Sequence, residues 1–182
     1  MKHSDASNTI FPNGLYAITD PHLLPDAKLV SAVESALRGG AQIIQYRDKT
    51  ASEIELVKNA RNLRDLCAQY HAKFIVNDDL GLCLRVKADG VHLGKSDGDI
   101  LEARNKLGNE KILGVTCHSD LIYAEKCIEQ GANYCAFGRI FPSKTKINAP
   151  HCQIEIVKQA AQLARPSVAI GGITLNNLNR LI

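Results

Sequence analysis

The chain has 182 residues, 45% hydrophobic and 23% charged, with a formal net charge of +3, which is enough for about one domain with its own core. The basic residues are dispersed, with no aromatic or Arg-rich stripe beside them, and this excludes nucleic acid as the expected partner. No segment approaches the ~18 uninterrupted apolar residues of a membrane span, MKHSDASNTIFP lacks a signal peptide's apolar centre, and the six cysteines form no C-x-x-C pair, so the chain reads as cytoplasmic, with reduced core thiols.

Taken in order, the sequence alternates two periods. Residues 1–13 read as an N-terminal extension and 14–182 as a single domain. Leu15 to Thr19 is a short apolar strand ended by Asp20 and Pro21, and Ala27 to Arg38 then places Leu29, Val33 and Leu37 at helical spacing before Gly39 and Gly40 stop it. Ala41 to Tyr46 is the second strand and runs into Arg47, Asp48 and Lys49. Ser52 with Glu55 has the spacing of a capping box, opening a helix with Ile54, Val57, Leu63 and Tyr70 on or near one face. Lys73 to Asn77 is the third strand; Asp78 or Asp79 could cap a short helix through Leu84.

Ala88 to Gly94 is the fourth strand, after which Asp97 or Asp99 can cap a helix reaching Leu107. Ile112 to Thr116 is the fifth, with a helix from about Ser119 to Gln130. Asn133 to Lys146, NYCAFGRIFPSKTK, begins as a sixth buried strand and ends in hydroxyls and ammonium groups, which is how a phosphate site looks in sequence. Cys152 to Ala164 is helical, Val168 to Ile170 is the seventh strand, and Gly171-Gly172 precedes a last helical start near Asn176 and Asn177.

Strands alternating with helices and no hairpins mean a parallel sheet. The turn after the first strand lacks the glycines of a nucleotide-binding fold, so the expectation is a (β/α)8 barrel without its eighth unit. Such a barrel leaves the first and seventh strands unpaired, to be bridged by a partner chain, by disorder or by residues outside this sequence, and a homo-oligomer is one possible state.

A barrel gathers the strands' carboxyl ends on one rim, where barrel enzymes hold their sites. That places Gln45, Arg47 and Lys49 after the second strand, Asn77 and Asp78 after the third, and Asp97 after the fourth. Thr116 and His118 follow the fifth, Ser143, Lys144, Thr145 and Lys146 the sixth, and Gly171 and Gly172 the seventh. Each has an ordinary structural explanation: Arg47 with Asp48 as a solvated pair, Asp78 and Asp97 as helix caps, His92 as a satisfied interior histidine, the glycines as a tight turn. Together they offer two hard oxygen ligands of the kind Mg²⁺ uses with substrate phosphates, two cationic clusters, and glycines through which backbone N–H groups could reach a phosphate. No nucleophile stands beside a base, since Cys117 and His118 are only sequence neighbours, so the chemistry should ionise a leaving group.

YAITD (Tyr16 to Asp20), QYRDK (Gln45 to Lys49), NDD (Asn77 to Asp79), DGVHLG with Asp97, GVTCH (Gly114 to His118), FGRIFPSKTK and AIGGI (Ala169 to Ile173) resemble the signatures of thiamine-phosphate synthases, in order, from about residue 14 onward. The resemblance implies a (β/α)8 transferase that joins a hydroxymethylpyrimidine pyrophosphate to a thiazole phosphate and releases pyrophosphate with Mg²⁺. It implies Asp78 and Asp97 as metal ligands and Arg47, Lys49, Asn77 and Lys146 on the pyrophosphate. Gln45 and Thr116 fall on the pyrimidine side, and Ser143, Thr145, Gly171 and Gly172 on the thiazole phosphate. Lys95-Ser96 stand where relatives usually carry Gln-Glu, Arg139 where Pro is usual, and Ser143 where Thr is usual. The alternatives are a thiazole tautomerase using His118 and an inactive phosphate-binding module.

Overall fold

The structure is a computed structural model that describes residues 11–143 and 150–181. Its strands are β1 (Leu15–Ile18), β2 (Ala41–Tyr46), β3 (Lys73–Asn77), β4 (Gly90–Leu93), β5 (Ile112–His118), β6 (Tyr134–Phe137) and β7 (Ser167–Ala169). Between them lie α1 (Asp26–Arg38), α2 (Glu53–Gln69), α3 (Leu80–Val86), α4 (Ile100–Leu107), α5 (Leu121–Glu129) and α6 (Ile154–Ala160), and a 3-10 turn spans Leu178–Arg180. All six strand pairings are parallel and follow chain order from β1 to β7. The expected parallel barrel is therefore present and nearly closed, and among the described residues no ladder joins β7 to β1. No described helix is long and apolar enough to cross a membrane.

Alternation along each strand divides the core in two, because successive side chains leave a strand on opposite faces. One set, including Ile44, Phe74, Val76, Val91, Leu93, Leu113, Val115 and Phe137, faces the helices and meets Leu29, Val33, Ala60, Leu63 and Cys127. The other, Ile43, Ile75, Ile112 and Tyr134 with Tyr16 and Val168, fills the barrel and is joined by Phe11 from the segment before β1. Fully burying an aliphatic side chain of this kind stabilises by about 1.5–3 kcal/mol, so a register slip that swapped the sets would be severely unfavourable.

The helix starts are set by local chemistry. Ser52 and Glu55 exchange bonds in the expected capping box, with Glu55 accepting from Ser52 N–H at 2.9 Å. Ile54, read from sequence near the inward face of α2, is instead 82% exposed; it sits in the first turn, on the side turned from the sheet. Two helices are displaced from expectation: α3 continues past Leu84 to Val86, where Lys87 stops it in a left-handed conformation, and α6 covers only Ile154–Ala160 of the predicted 152–164.

Because every strand runs the same way, the carboxyl ends of β1 to β7 share one rim.

Candidate active site at the barrel rim

At that rim the chain after β3 turns sharply. Asp78 adopts a positive φ of 62°, its N–H donating to the His92 carbonyl at 2.8 Å while Asp79 N–H closes back onto the Asn77 carbonyl at 2.8 Å. A left-handed conformation in a non-glycine residue costs of order 1–3 kcal/mol and concentrates at functional sites. Here it separates two adjacent carboxylates by task. Asp79 caps α3, accepting from Leu82 N–H at 2.8 Å, and Asp78 turns elsewhere. The same division recurs after β4, where Asp99 caps α4 by accepting from Glu102 N–H at 2.8 Å. Asp97 accepts instead from Gly94 N–H at 2.8 Å. The capping explanation of Asp78 and Asp97 is thus overturned, because their neighbours already satisfy the helix ends.

Released from capping, the carboxyl groups of Asp78 and Asp97 lie within hydrogen-bonding reach of each other. Lys49 reaches the same point from β2, its Nζ 3.0 Å from Asp78 Oδ2, and the Asn77 side chain also bonds Asp78. Two carboxylates at contact cannot both ionise cheaply. Partial burial opposes the charge on Asp78, but hydrogen bonds from Lys49 and Asp97 outweigh it and hold its carboxyl below the ordinary range. Burial, then the bond to Asp78 and its charge, push Asp97 up. A divalent cation would relieve the repulsion between the two carboxylates, and the donor set is hard oxygen, so the residues fit Mg²⁺. Among the described residues no group of three or more His, Cys, Asp or Glu converges as a metal site, so further ligands would come from water or substrate.

Arg47 does not pair with Asp48 as expected. Asp48 Oδ1 accepts from Thr50 N–H, Thr50 Oγ1 and Ala51 N–H, closing the turn before α2. Arg47 faces Asp20 instead, with Nη1 3.9 Å from Oδ2, and Thr19 Oγ1 staples its backbone, accepting from Arg47 N–H at 2.8 Å and donating to its carbonyl at 3.0 Å. The Arg47 Nε is buried without a hydrogen-bond partner among the described residues, as is the Arg139 Nε in the loop after β6. Orphaned guanidinium donors at a rim suit an anionic ligand.

Gln45 and Thr116 line the interior below the rim. The Gln45 amide donates to Tyr16 Oη at 2.8 Å, and Thr116 Oγ1 lies 2.8 Å from His92 Nε2. His92 is 6% exposed and also bonded to Tyr134, the satisfied interior histidine expected. Cys117 is buried on the helix side of β5, so it forms no catalytic dyad with His118. Lys95 turns away from the aspartates: its Nζ is 3.8 Å from Asp120 Oδ2 and 4.7 Å above the Tyr123 ring.

Between β6 and β7 the rim is main chain. Ile140 N–H donates to the Ile170 carbonyl and Phe141 N–H to the Gly171 carbonyl, both at 3.0 Å. Gly171 and Gly172 have φ of 99° and 64°; a Cβ at Gly172 would lie 2.2 Å from the Pro142 carbonyl oxygen, and one at Gly171 2.4 Å from Arg139 Cβ. The pair is thus required by close packing. Ser143 belongs to this loop, half-buried and engaged with a neighbour. Lys144, Thr145 and Lys146 lie outside the described residues.

Sequence reasoning missed Asp20, whose position ending a strand opposite Arg47 was the available signal, and missed Tyr16 and Tyr134, which alternation alone would have aimed inward.

A family model described as thiamine monophosphate synthase matches residues 15–182. The chain is 54% identical over 171 residues to a thiamine-phosphate synthase of Alcanivorax borkumensis, covering 93% of this chain and 79% of that one. It is 48% identical to a thiamine-phosphate synthase of Saccharophagus degradans over 92% of this chain and 78% of the relative. A solved thiamine phosphate pyrophosphorylase from Pyrococcus furiosus superimposes with a TM-score of 0.81 at 35% identity, over 91% of this chain and 78% of that one. A 3-dehydroquinate dehydratase from Geobacillus kaustophilus, at TM-score 0.62 and 16% identity, shares the fold alone.

Proposed function

The chain belongs to the thiamine monophosphate synthase family, and on that premise we propose that its rim joins 4-amino-2-methyl-5-hydroxymethylpyrimidine diphosphate to thiazole phosphate, giving thiamine phosphate and pyrophosphate. The enzyme is a transferase of thiamine biosynthesis by its relatives. What supports the finer reading most is the meeting of Asp78 and Asp97 beside Lys49, three residues from three strand ends with no structural duty at the helices they precede.

Asp78 and Asp97 would hold Mg²⁺, which when bound adds positive charge against the departing diphosphate. Lys49, Asn77 and the Arg47 guanidinium bind that diphosphate, with Lys146 as a further cation, and stabilise the charge it gains as the carbon–oxygen bond breaks. The electron pair leaves with pyrophosphate. The aminopyrimidine carries the positive carbon, and the thiazole nitrogen, held close, supplies the pair for the new carbon–nitrogen bond. Gln45 and Thr116 orient the pyrimidine, while Ser143, Thr145 and the main chain at Gly171 and Gly172 hold the thiazole phosphate. No side chain attacks, in keeping with Cys117 lying in the helix-facing core.

The test supplies both substrates with and without Mg²⁺. Joined product that disappears with a chelator supports the reading; turnover of the thiazole alone, or binding without turnover, overturns it.

A further inference from the structure

Gln45 and Thr116, the two residues placed beside the pyrimidine, are the ends of one hydrogen-bonded chain that crosses the barrel. Gln45 Nε2 lies 2.8 Å from Tyr16 Oη, Tyr16 Oη 2.7 Å from Tyr134 Oη, Tyr134 Oη 2.8 Å from His92 Nδ1, and His92 Nε2 2.8 Å from Thr116 Oγ1. The five side chains come from β2, β1, β6, β4 and β5 in turn. Tyr134 reaches from β6 to β4 because the residue between them, in register with both, is Gly114, where a Cβ would lie 2.0 Å from the Tyr134 ring.

Such a chain has a direction. The Gln45 amide nitrogen can only donate, so Tyr16 accepts from it, and the arrangement that gives each phenol proton an acceptor within the chain has Tyr16 donating to Tyr134. Tyr134 in turn spends its proton on His92 Nδ1. A neutral imidazole accepting at Nδ1 carries its hydrogen on Nε2, which then donates to Thr116 Oγ1. The Thr116 hydroxyl hydrogen is thereby turned away from His92. Burial pushes both phenols far up, so neither gives up its proton in the ordinary range and the direction is stable.

Resting on the proposed synthase reading, we propose that Tyr16, Tyr134 and His92 are positioning residues: they pin His92 as the Nε2–H tautomer and hold Thr116 as a hydrogen-bond donor toward the substrate. None of the three need touch substrate. Their effect is on how the two pyrimidine-side groups are aimed, and it should show in turnover more than in binding.

The test uses nitrogen-15 spectra of histidine side chains in the full chain, with His92→Gln to identify the His92 signals. In the parent, His92 should be neutral and protonated at Nε2; protonation at Nδ1 overturns the direction. Tyr134→Phe, which keeps the ring over Gly114, should break the single tautomer into a mixture and lower kcat about 10-fold while KM for the pyrimidine diphosphate stays within about 2-fold. Tyr16→Phe, a second cut upstream, should act the same way, and Tyr134→Phe should cost little further turnover in a Thr116→Val background. A folded Tyr134→Phe with parental kcat overturns the positioning role. The tautomer arm decides the chain without reference to turnover, and product formation by the parent decides the synthase reading without reference to the tautomer.

Discussion

From β2 to β4 the rim is held by charged side chains that face one another, Lys49 on Asp78 and Asp78 on Asp97, whereas from β6 to β7 it is held by main-chain bonds closed over two glycines. The first region keeps its shape against electrostatic cost: two carboxylates meet, and one residue sits at a strained φ. The second region is shaped by the absence of side chains. Charge-built sites should therefore fail in chemistry before they fail in stability, and backbone-built sites in the reverse order.

The largest effect expected is on the charged side. Asp97→Ala should lower Mg²⁺-dependent product formation by about 100-fold or more, with the fold intact because Asp99 carries the cap; an active variant at ordinary Mg²⁺ would remove Asp97 from the site. On the glycine side, Gly172→Ala sets a methyl against the Pro142 carbonyl and should cost roughly 2 kcal/mol in denaturant unfolding. A variant as stable as its parent would break the contrast between the two regions.

Arg47→Lys keeps charge but loses the planar fork, and should raise the product-inhibition constant of pyrophosphate about 10-fold. Asp97→Asn should slightly raise stability. It retains an acceptor for Gly94 and offers Asp78 a donor, gaining about 0.5 kcal/mol in metal-free protein, small because the pair is solvated. The sign follows from the elevated Asp97: folded protein holds that proton longer than unfolded chain, so stability falls as pH rises through the elevated range. The gain should accordingly vanish in acid, and equal melting temperatures at neutral pH would show that the carboxylates do not repel. Smallest of all, Lys95→Gln should leave turnover within about 2-fold, since that ammonium serves Asp120 and Tyr123; a larger change would bring it into the site.

The barrel was legible because period two and period 3.6 alternate cleanly, and the rim because strand ends in the barrel share one face. Which aspartate caps and which turns away from the helix was not legible from the residues themselves, although the family resemblance singled out Asp78 and Asp97. Asp78 and Asp79 have the same chemistry at adjacent positions, and only the left-handed turn at Asp78 decides between them. The Arg47 partner was misread for a related reason. Asp48 is adjacent in sequence but committed to a local turn, while Asp20 arrives from another strand. The tyrosine chain was invisible as a chain, since its members are scattered from position 16 to position 134 and its passage depends on what Gly114 lacks.

Phe11 stacks on Tyr134 with ring centroids 4.1 Å apart, 7% exposed, and it rides on the segment ahead of β1 rather than on any strand. The amino end of the barrel is therefore stoppered by a single ring. Trimming or tagging that displaces this one ring would admit bulk water from beneath, and an expression strategy aimed at a crisp catalytic floor should leave it seated.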